Sequence, residues 1–406
     1  MSHALLGLAL IHLLGAVARA VTSPRTLRAE LSAGLASPSS VWLGLAVLWC
    51  VSLGGAGVAL GVGLAFATLV SRPGARARMP WALLVGVAAL ALLRPFTPTQ
   101  WDEFVWLAKA RLESLHFGAG VTAALDPAQH LIPVGYPPLW PAAVGWVSLG
   151  HDSLETHTFA AAVLVVLALG AALEAWAPPF DGRRALVVGG VVLLTPLVWI
   201  HLRSVYVDLP VGLLGVALLG HLLADEPRPQ AIAIALVLAG LKDEGVAHVL
   251  AASAAASLVG QRGLRRLFPA ALALGAVWTW RSLATAHGVA NADHAFTAPA
   301  WGWLPQLGQL LVLHASDVFS WGVFWALVVA AMLRKPREVP ARALRLAIVL
   351  NLGFIAGALL VGPERVRVFA ENGTLLNRLL MQVWPAAAAL VALQLAPREQ
   401  GEAVLV

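Results

Sequence analysis

The amino-acid sequence predicts an all-α polytopic membrane protein, and three observations carry that prediction. Of its 406 residues, 59% are hydrophobic and only 12% charged, whereas a soluble domain carries about 25% charged residues. Mean hydropathy is +0.80. The apolar residues fall in long runs separated by short Arg-bearing loops, the pattern of spanning helices under the positive-inside rule. The net charge of +6 and the pI near 10.4 therefore belong to membrane topology rather than to a nucleic-acid surface. A lone cysteine, Cys50, excludes an intrachain disulfide.

From the N-terminus, apolar runs occupy residues 4–20, 41–70, 81–96, 156–177, 185–201, 208–224, 230–241, 246–260, 266–285, 316–333, 343–361 and 375–395. A spanning helix needs about 20 residues, and a run of about 10–14 suits a re-entrant or buried helix, so the chain predicts a bundle of about 11–13 transmembrane or re-entrant helices. The first run lacks the basic start and cleavage site of a signal peptide and reads as a retained helix. Run 41–70 exceeds one untilted span, and Gly54-Gly55 marks a kink or a break within it. Residues 1–80 read as N-terminal transmembrane helices, 81–395 as the main module and 396–406 as a short cytoplasmic tail.

Arginine sets the orientation. Four groups stand where cytoplasmic loops are expected: Arg72, Arg76 and Arg78; Arg183 and Arg184; Arg262, Arg265 and Arg266; and Arg334, Lys335, Arg337, Arg342 and Arg345. The loop after Asp102 and Glu103, the stretch 203–208, and residues 286–304 and 362–374 then face outward. Arg19, Arg25 and Arg28 fit less well, because they fall outside if 41–70 is one span. Residues 225–229 and 261–266 both belong to the cytoplasmic side, yet Lys242-Asp243-Glu244-Gly245 interrupts the apolar stretch between them. Arms of about 12–15 residues rise roughly 18–22 Å, short of a bilayer core of about 30 Å. They predict a re-entrant hairpin over residues 230–260, with the charged motif at an apex facing a cavity.

The longest polar interval, residues 97–156, is the first large outer loop. Trp101, Phe104, Val105, Leu107 and Ala108 alternate with Lys109, Arg111 and Glu113 at near-helical spacing. This predicts an amphipathic helix lying at the interface, anchored by Trp101 and Trp106. Pro137, Pro138 and Pro141 then begin another helix, since proline is tolerated in a first turn.

Charge in or beside a bilayer marks a functional site by default. Asp102 and Glu103 are the candidate catalytic base, Asp102 first; the alternative is a helix-end role. Neighbours in sequence do not share a helix face, so the two carboxylates should divide their tasks. Tyr136, Arg203, Asp208, Lys242, Asp243, Glu244 and Arg378 are candidate substrate-binding residues. Asp208, one residue before Leu209-Pro210, also fits an ordinary N-cap. Lys242, Asp243 and Glu244 either line a site for an anionic, hydroxylated substrate or pair among themselves to close a turn. Arg378 stands in an apolar helix and its fork of donors suits phosphate; snorkelling, or pairing with Glu371 or Asp317, are the alternatives. The histidines lack HxxxH spacing, and no metal ligands are assigned.

Five segments recur in order: Trp101-Asp102-Glu103-Phe104, Tyr136-Pro137-Pro138-Leu139-Trp140-Pro141, Tyr206-Val207-Asp208-Leu209-Pro210, Leu241-Lys242-Asp243-Glu244-Gly245 and Asn377-Arg378-Leu379-Leu380-Met381-Gln382-Val383-Trp384-Pro385. Together, across residues 80–395, this set resembles the GT-C superfamily of polyprenyl-phosphate-sugar-dependent glycosyltransferases. The resemblance is to bacterial relatives of the protein mannosyltransferase and aminoarabinose transferase families. It implies a GT-C-like bundle in a bacterial inner membrane, among membrane lipids and with no nucleic acid, its active site facing the periplasm. It also implies a polyprenyl-phosphate-sugar donor, a lipid, glycan or protein acceptor, and activation of that acceptor by Asp102 or Glu103. Basic residues would hold the donor phosphate. Some relatives use a divalent cation, Mg or Mn, and others none. The chain departs from the aminoarabinose transferases in carrying Tyr136 where they have a lysine before Pro-Pro-Leu, and only a short tail follows residue 395. From other classes, a transporter or flippase for a lipid-linked or anionic substrate is the alternative, followed by a non-catalytic assembly subunit.

Overall fold

The computed structural model describes residues 2–21, 37–52, 98, 101–128, 136–176, 182–224, 229–260, 263–289, 296–336 and 338–395. The expectations for Gly54-Gly55, for run 81–96, for Arg72, Arg76 and Arg78, for residues 225–228 and for the tail 396–406 lie outside them, as does the side chain of Trp101. Among the described residues there are helices and no strands. In chain order the α-helices are α1 (Ser2–Val21), α2 (Ser39–Ser52), α3 (Trp101–Leu115), α4 (Ala119–Ala124), α5 (Leu139–Ser148), α6 (Leu154–Trp176), α7 (Gly182–Leu193), α8 (Pro196–Leu202) and α9 (Asp208–Leu223). They continue with α10 (Pro229–Leu241), α11 (Asp243–Val259), α12 (Phe268–Ala286), α13 (Leu304–Ala315), α14 (Val318–Trp321), α15 (Phe324–Leu333), α16 (Val339–Val361), α17 (Glu364–Glu371) and α18 (Thr374–Leu395). Helices α6, α16 and α18 are long and apolar enough to cross a membrane, and shorter apolar helices accompany them. The chain is an all-α membrane protein.

Helix α9 is the hub. It is apolar all round and buried from Asp208 through Leu222, as a helix without a polar face must be. It packs against α6, α18, α11 and α10. Its glycines permit this crowding. A methyl group on Gly212 would stand 2.3 Å from the Gln382 carbonyl oxygen, and one on Gly220 would meet the Trp176 indole at 2.8 Å. Small residues at such crossings let backbones come close where lipid supplies no hydrophobic drive between helices.

The apolar stretch around Lys242 is two helices, not one. Lys242 is extended, at φ −164° and ψ 152°, between α10 and α11. A methyl on Gly245 would lie 2.0 Å from the carbonyl oxygen of Leu238. In a continuous helix those residues would be about 10 Å apart along the axis, so the chain folds back at Lys242. Two other runs are also interrupted. Run 185–201 divides into α7 and α8 at Thr195, which precedes Pro196 and takes an extended conformation, as a residue before proline prefers. Run 316–333 divides into α14 and α15 at Gly322, whose φ is 56°.

Two ends of the bundle differ in chemistry. At one, Arg184 lies 3.7 Å from Glu338 and Arg334 Nη1 donates to the Gln394 carbonyl at 2.8 Å. Glu174 belongs to this end too, accepting from Ser37 Oγ at 2.7 Å and from the Ser39 amide at 3.2 Å. Helices α1 and α2 are antiparallel, with Gly15 against the Ser40 carbonyl and Gly44 against that of Ile11. The chain therefore leaves α1 and enters α2 at the basic end. Arg25 and Arg28, and the side chain of Arg19, lie outside the described residues. At the other end the Thr297 amide donates to the Val361 carbonyl at 2.7 Å, and the polar segments around residues 102, 205, 242 and 378 come together.

Helix α3 corrects the sequence reading. It is packed into the bundle on more than its apolar side: Glu103, Lys109 and Glu113 are buried together with Val105, Trp106, Leu107 and Ala110, while Phe104, Arg111, Leu115 and the following Phe117 are exposed. Burial of Glu113 is possible because it is satisfied inside, accepting from the amides of Gly118 (2.6 Å) and Gly120 (2.8 Å) and from Trp146 Nε1 (2.5 Å).

Candidate functional site

The site is built on Asp208, the first residue of α9. The N-cap position belongs to Val207, and no side chain caps the helix, so the expected capping role of Asp208 is not the one it takes. Its carboxylate is 0% exposed. Oδ1 accepts from Lys242 Nζ at 2.9 Å and from Gln382 Nε2 at 2.8 Å, and Oδ2 accepts from Arg378 Nε at 2.9 Å. A buried carboxylate is tolerated when its oxygens meet cations and further donors, which is the case here.

The charges extend from Asp208 in both directions. Arg378 Nη1 donates to Asp102 Oδ2 at 2.5 Å, and its guanidinium lies 4.5 Å from the ring centroid of Tyr206, a cation–π distance. On the other side Lys242 lies 3.0 Å from Glu244 Oε1. The file thus reads Asp102, Arg378, Asp208, Lys242, Glu244. Asp243 turns away from it to Arg281, at 2.6 Å. Four distant parts of the chain supply the file: the start of α3, the start of α9, the α10–α11 junction and the first third of α18.

The two adjacent acids of α3 do divide. Asp102 joins the file and its side chain is 48% exposed. Glu103 is fully buried, and its Oε1 faces the Val205 amide at 3.5 Å. The Val205 carbonyl takes a firmer bond from Trp140 Nε1 at 2.7 Å. Glu103 and Trp140 therefore bracket the segment that delivers Tyr206 and Asp208.

Tyr136 stands beside the file, edge-on to Trp106 at 6.4 Å. Burial, and then the carboxylates of Glu244 and Asp243, hold its phenol well above the usual range. Burial does the same to Tyr206, against an opposing pull from Arg378. Both phenols stay protonated at neutral pH and can donate or accept hydrogen bonds without acting as bases. Arg203 is not brought in: its Nε bonds the Trp199 carbonyl of its own helix at 3.4 Å. Nor are Glu371 and Asp317 partners of Arg378. Glu371 accepts from Trp303 and Gln306, and Asp317 caps α14 through the Phe319 amide.

Sequence reasoning missed Gln382 as a site residue, although a signal was present. It follows Arg378 by one turn, so both side chains share a face of α18. Gln382 also bonds His248. Beyond them a small cavity is lined by Gly212, Gly215, His248 and Asn351 among others.

The file does not suit a divalent cation. Each of its carboxylates already faces an arginine or lysine, and among the described residues no three His, Cys, Asp or Glu side chains converge as ligands. What the arrangement offers is a half-exposed carboxylate, two clustered cations and two neutral phenols at the rim of an apolar bundle. Comparison of the chain with family models, curated proteins and solved structures finds no match.

Proposed function

We propose that this chain is a membrane glycosyltransferase of the GT-C type. It would move a sugar from a polyprenyl-phosphate-linked donor to a hydroxyl of a lipid, glycan or protein acceptor, on the periplasmic face of a bacterial inner membrane. The observation that carries the reading is the juxtaposition of Asp102 with Arg378 and Lys242 at one end of a membrane bundle. Four of the five ordered segments that resemble the GT-C superfamily contribute a charged residue to this file, or to the pair beside it.

In this reading Asp102 takes the proton of the acceptor hydroxyl, which is a weak nucleophile until deprotonated. The acceptor oxygen bonds the sugar's anomeric carbon while the bond from that carbon to the phosphate oxygen breaks. Negative charge gathers on the leaving phosphate, where Arg378 and Lys242 stabilise it. A direct displacement inverts the anomeric centre. Glu103 and Asp208 position the groups that act: Glu103 the segment 203–208, Asp208 the two cations. Tyr136 and Tyr206 supply neutral hydrogen-bonding and stacking surfaces for a sugar.

The test is transfer from a radiolabelled polyprenyl-phosphate-sugar to acceptor lipid by the purified chain in detergent. Transfer is expected with the native chain, and Asp102→Asn should lower it about 10²–10⁴-fold, the usual contribution of a general base. A variant within a few-fold of the native rate would remove Asp102 from the chemistry. One observation favours a second reading, a transporter or flippase for a lipid-linked or anionic substrate. The helix break at Lys242 lies against buried charge, an arrangement also found at transport sites.

A further inference from the structure

We infer that Asp102 is the counter-ion that a donor phosphate must displace from Arg378, so that the base is released only to an anionic donor. This inference rests on the glycosyltransferase reading and adds a determinant of specificity to it.

The file holds three carboxylates, Asp102, Asp208 and Glu244, against two cations, Arg378 and Lys242. It already carries an excess negative charge. An arriving phosphate adds more and finds no uncommitted cation there. One carboxylate must yield, and the three are unequal. Asp208 is fully buried and accepts from three side chains, so moving it would take from both cations their shared buried partner. Glu244 lies on Lys242, the far side of Asp208 from Arg378. Asp102 is half exposed, and Arg378 is its one ion-pair partner among the described residues. A half-exposed ion pair is weak and exchangeable. Asp102 is the carboxylate that leaves.

Its departure does two things. It opens Arg378 Nη1, the nitrogen held by Asp102, while Nε stays on Asp208. It also frees Asp102 Oδ2, the oxygen occupied by Arg378 in the resting protein. The freed carboxylate can then take the acceptor proton as the acceptor oxygen bonds the sugar and the phosphate departs with the bonding electron pair. An uncharged prenyl lipid cannot compete for the guanidinium and leaves Asp102 where it is. The pair thus ties availability of the base to occupation of the phosphate subsite.

The experiment measures binding, not turnover. The full chain in detergent is titrated calorimetrically with farnesyl phosphate and with farnesol, in the native form and as Asp102→Asn and Asp102→Ser. The native chain should bind the phosphate more tightly than the alcohol. Both variants should bind the phosphate more tightly still, by up to about fivefold, the scale of a partly exposed ion pair, with farnesol unchanged. Two substitutions are used so that loss of fold in one leaves the other to decide. Unchanged or weaker phosphate binding by a folded variant would overturn the displacement and leave the phosphate assignment standing. Equal binding of phosphate and alcohol by all three proteins would overturn the anionic-donor reading, and the displacement with it.

Discussion

At the scale of single residues, Asp208 and Asp102 share one arginine and should respond very differently to substitution. Asp208→Ala leaves Lys242 and Arg378 buried without their common partner. Removing one member of a buried pair costs about 3–5 kcal/mol, and the variant should show a large fall in melting temperature or fail to accumulate. Asp102→Asn breaks a half-exposed pair worth about 1 kcal/mol or less and should melt close to the native protein. Equal losses in the two variants would remove Asp208 from its place as the anchor. A pH effect belongs to Lys109. Burial alone lowers its pKa from 10.5 to about 8. Between those values the unfolded chain holds a proton that the folded chain has released, so stability should rise with pH across that window. Melting temperatures of the native chain and Lys109→Met, compared from pH 7 to 10, check this: the native protein should gain on the variant as pH increases. Some of these roles were legible in the sequence. A lone Arg378 among leucines demanded an anion, but its partners lie 170 and 276 residues away, and spacing could not name them. Gln382 was legible in principle through its one-turn offset from Arg378.

At the scale of elements, the α10–α11 turn was the most readable feature, because three charges inside a short apolar run are incompatible with one lipid-facing helix. Its closure depends on Gly245. Gly245→Ala puts a methyl group onto the Leu238 carbonyl oxygen, which cannot yield without moving α10. A loss of about 1–3 kcal/mol, typical of overpacking, is expected in thermal melts. Gly353→Ala in α16, where no atom lies within 4 Å, is the control and should be neutral or slightly stabilising. Helix α3 was the least readable element. Its alternation of apolar and polar residues announced an interfacial helix, yet Lys109 and Glu113 are buried along with its apolar residues. The reason lies in Trp146 and the amides of Gly118 and Gly120, which make burial of Glu113 tolerable and which no local periodicity reveals. The divisions at Thr195 and Gly322 follow from Pro196 and from a positive φ, punctuation that hydropathy runs pass over.

At the scale of the whole molecule, the arginine pattern gives the expectation of which end of the bundle is cytoplasmic. Arg184 reaches Glu338 at one end, and Asp102 reaches Arg378 at the other. Orientation in the membrane follows from the positive-inside rule and is open to chemical test. In a Cys50→Ala background, Phe296→Cys lies on the side of the ionic file and Lys335→Cys on the basic side, both at exposed positions. A membrane-impermeant maleimide added to intact spheroplasts should label the first, and label the second only after lysis. The opposite pattern would place the file on the cytoplasmic side. Both the enzyme and the carrier readings need a polar site at the end of an apolar bundle, so architecture alone does not separate them. One measurement does so directly. The purified chain is reconstituted in sealed vesicles with a radiolabelled polyprenyl-phosphate-sugar and acceptor lipid, and covalent transfer and transbilayer movement of the donor are followed together. Labelled acceptor and free polyprenyl phosphate are expected in equal amounts, both lowered about 10²–10⁴-fold by Asp102→Asn; donor crossing the bilayer with its sugar still attached, and no labelled acceptor, would contradict the enzyme reading.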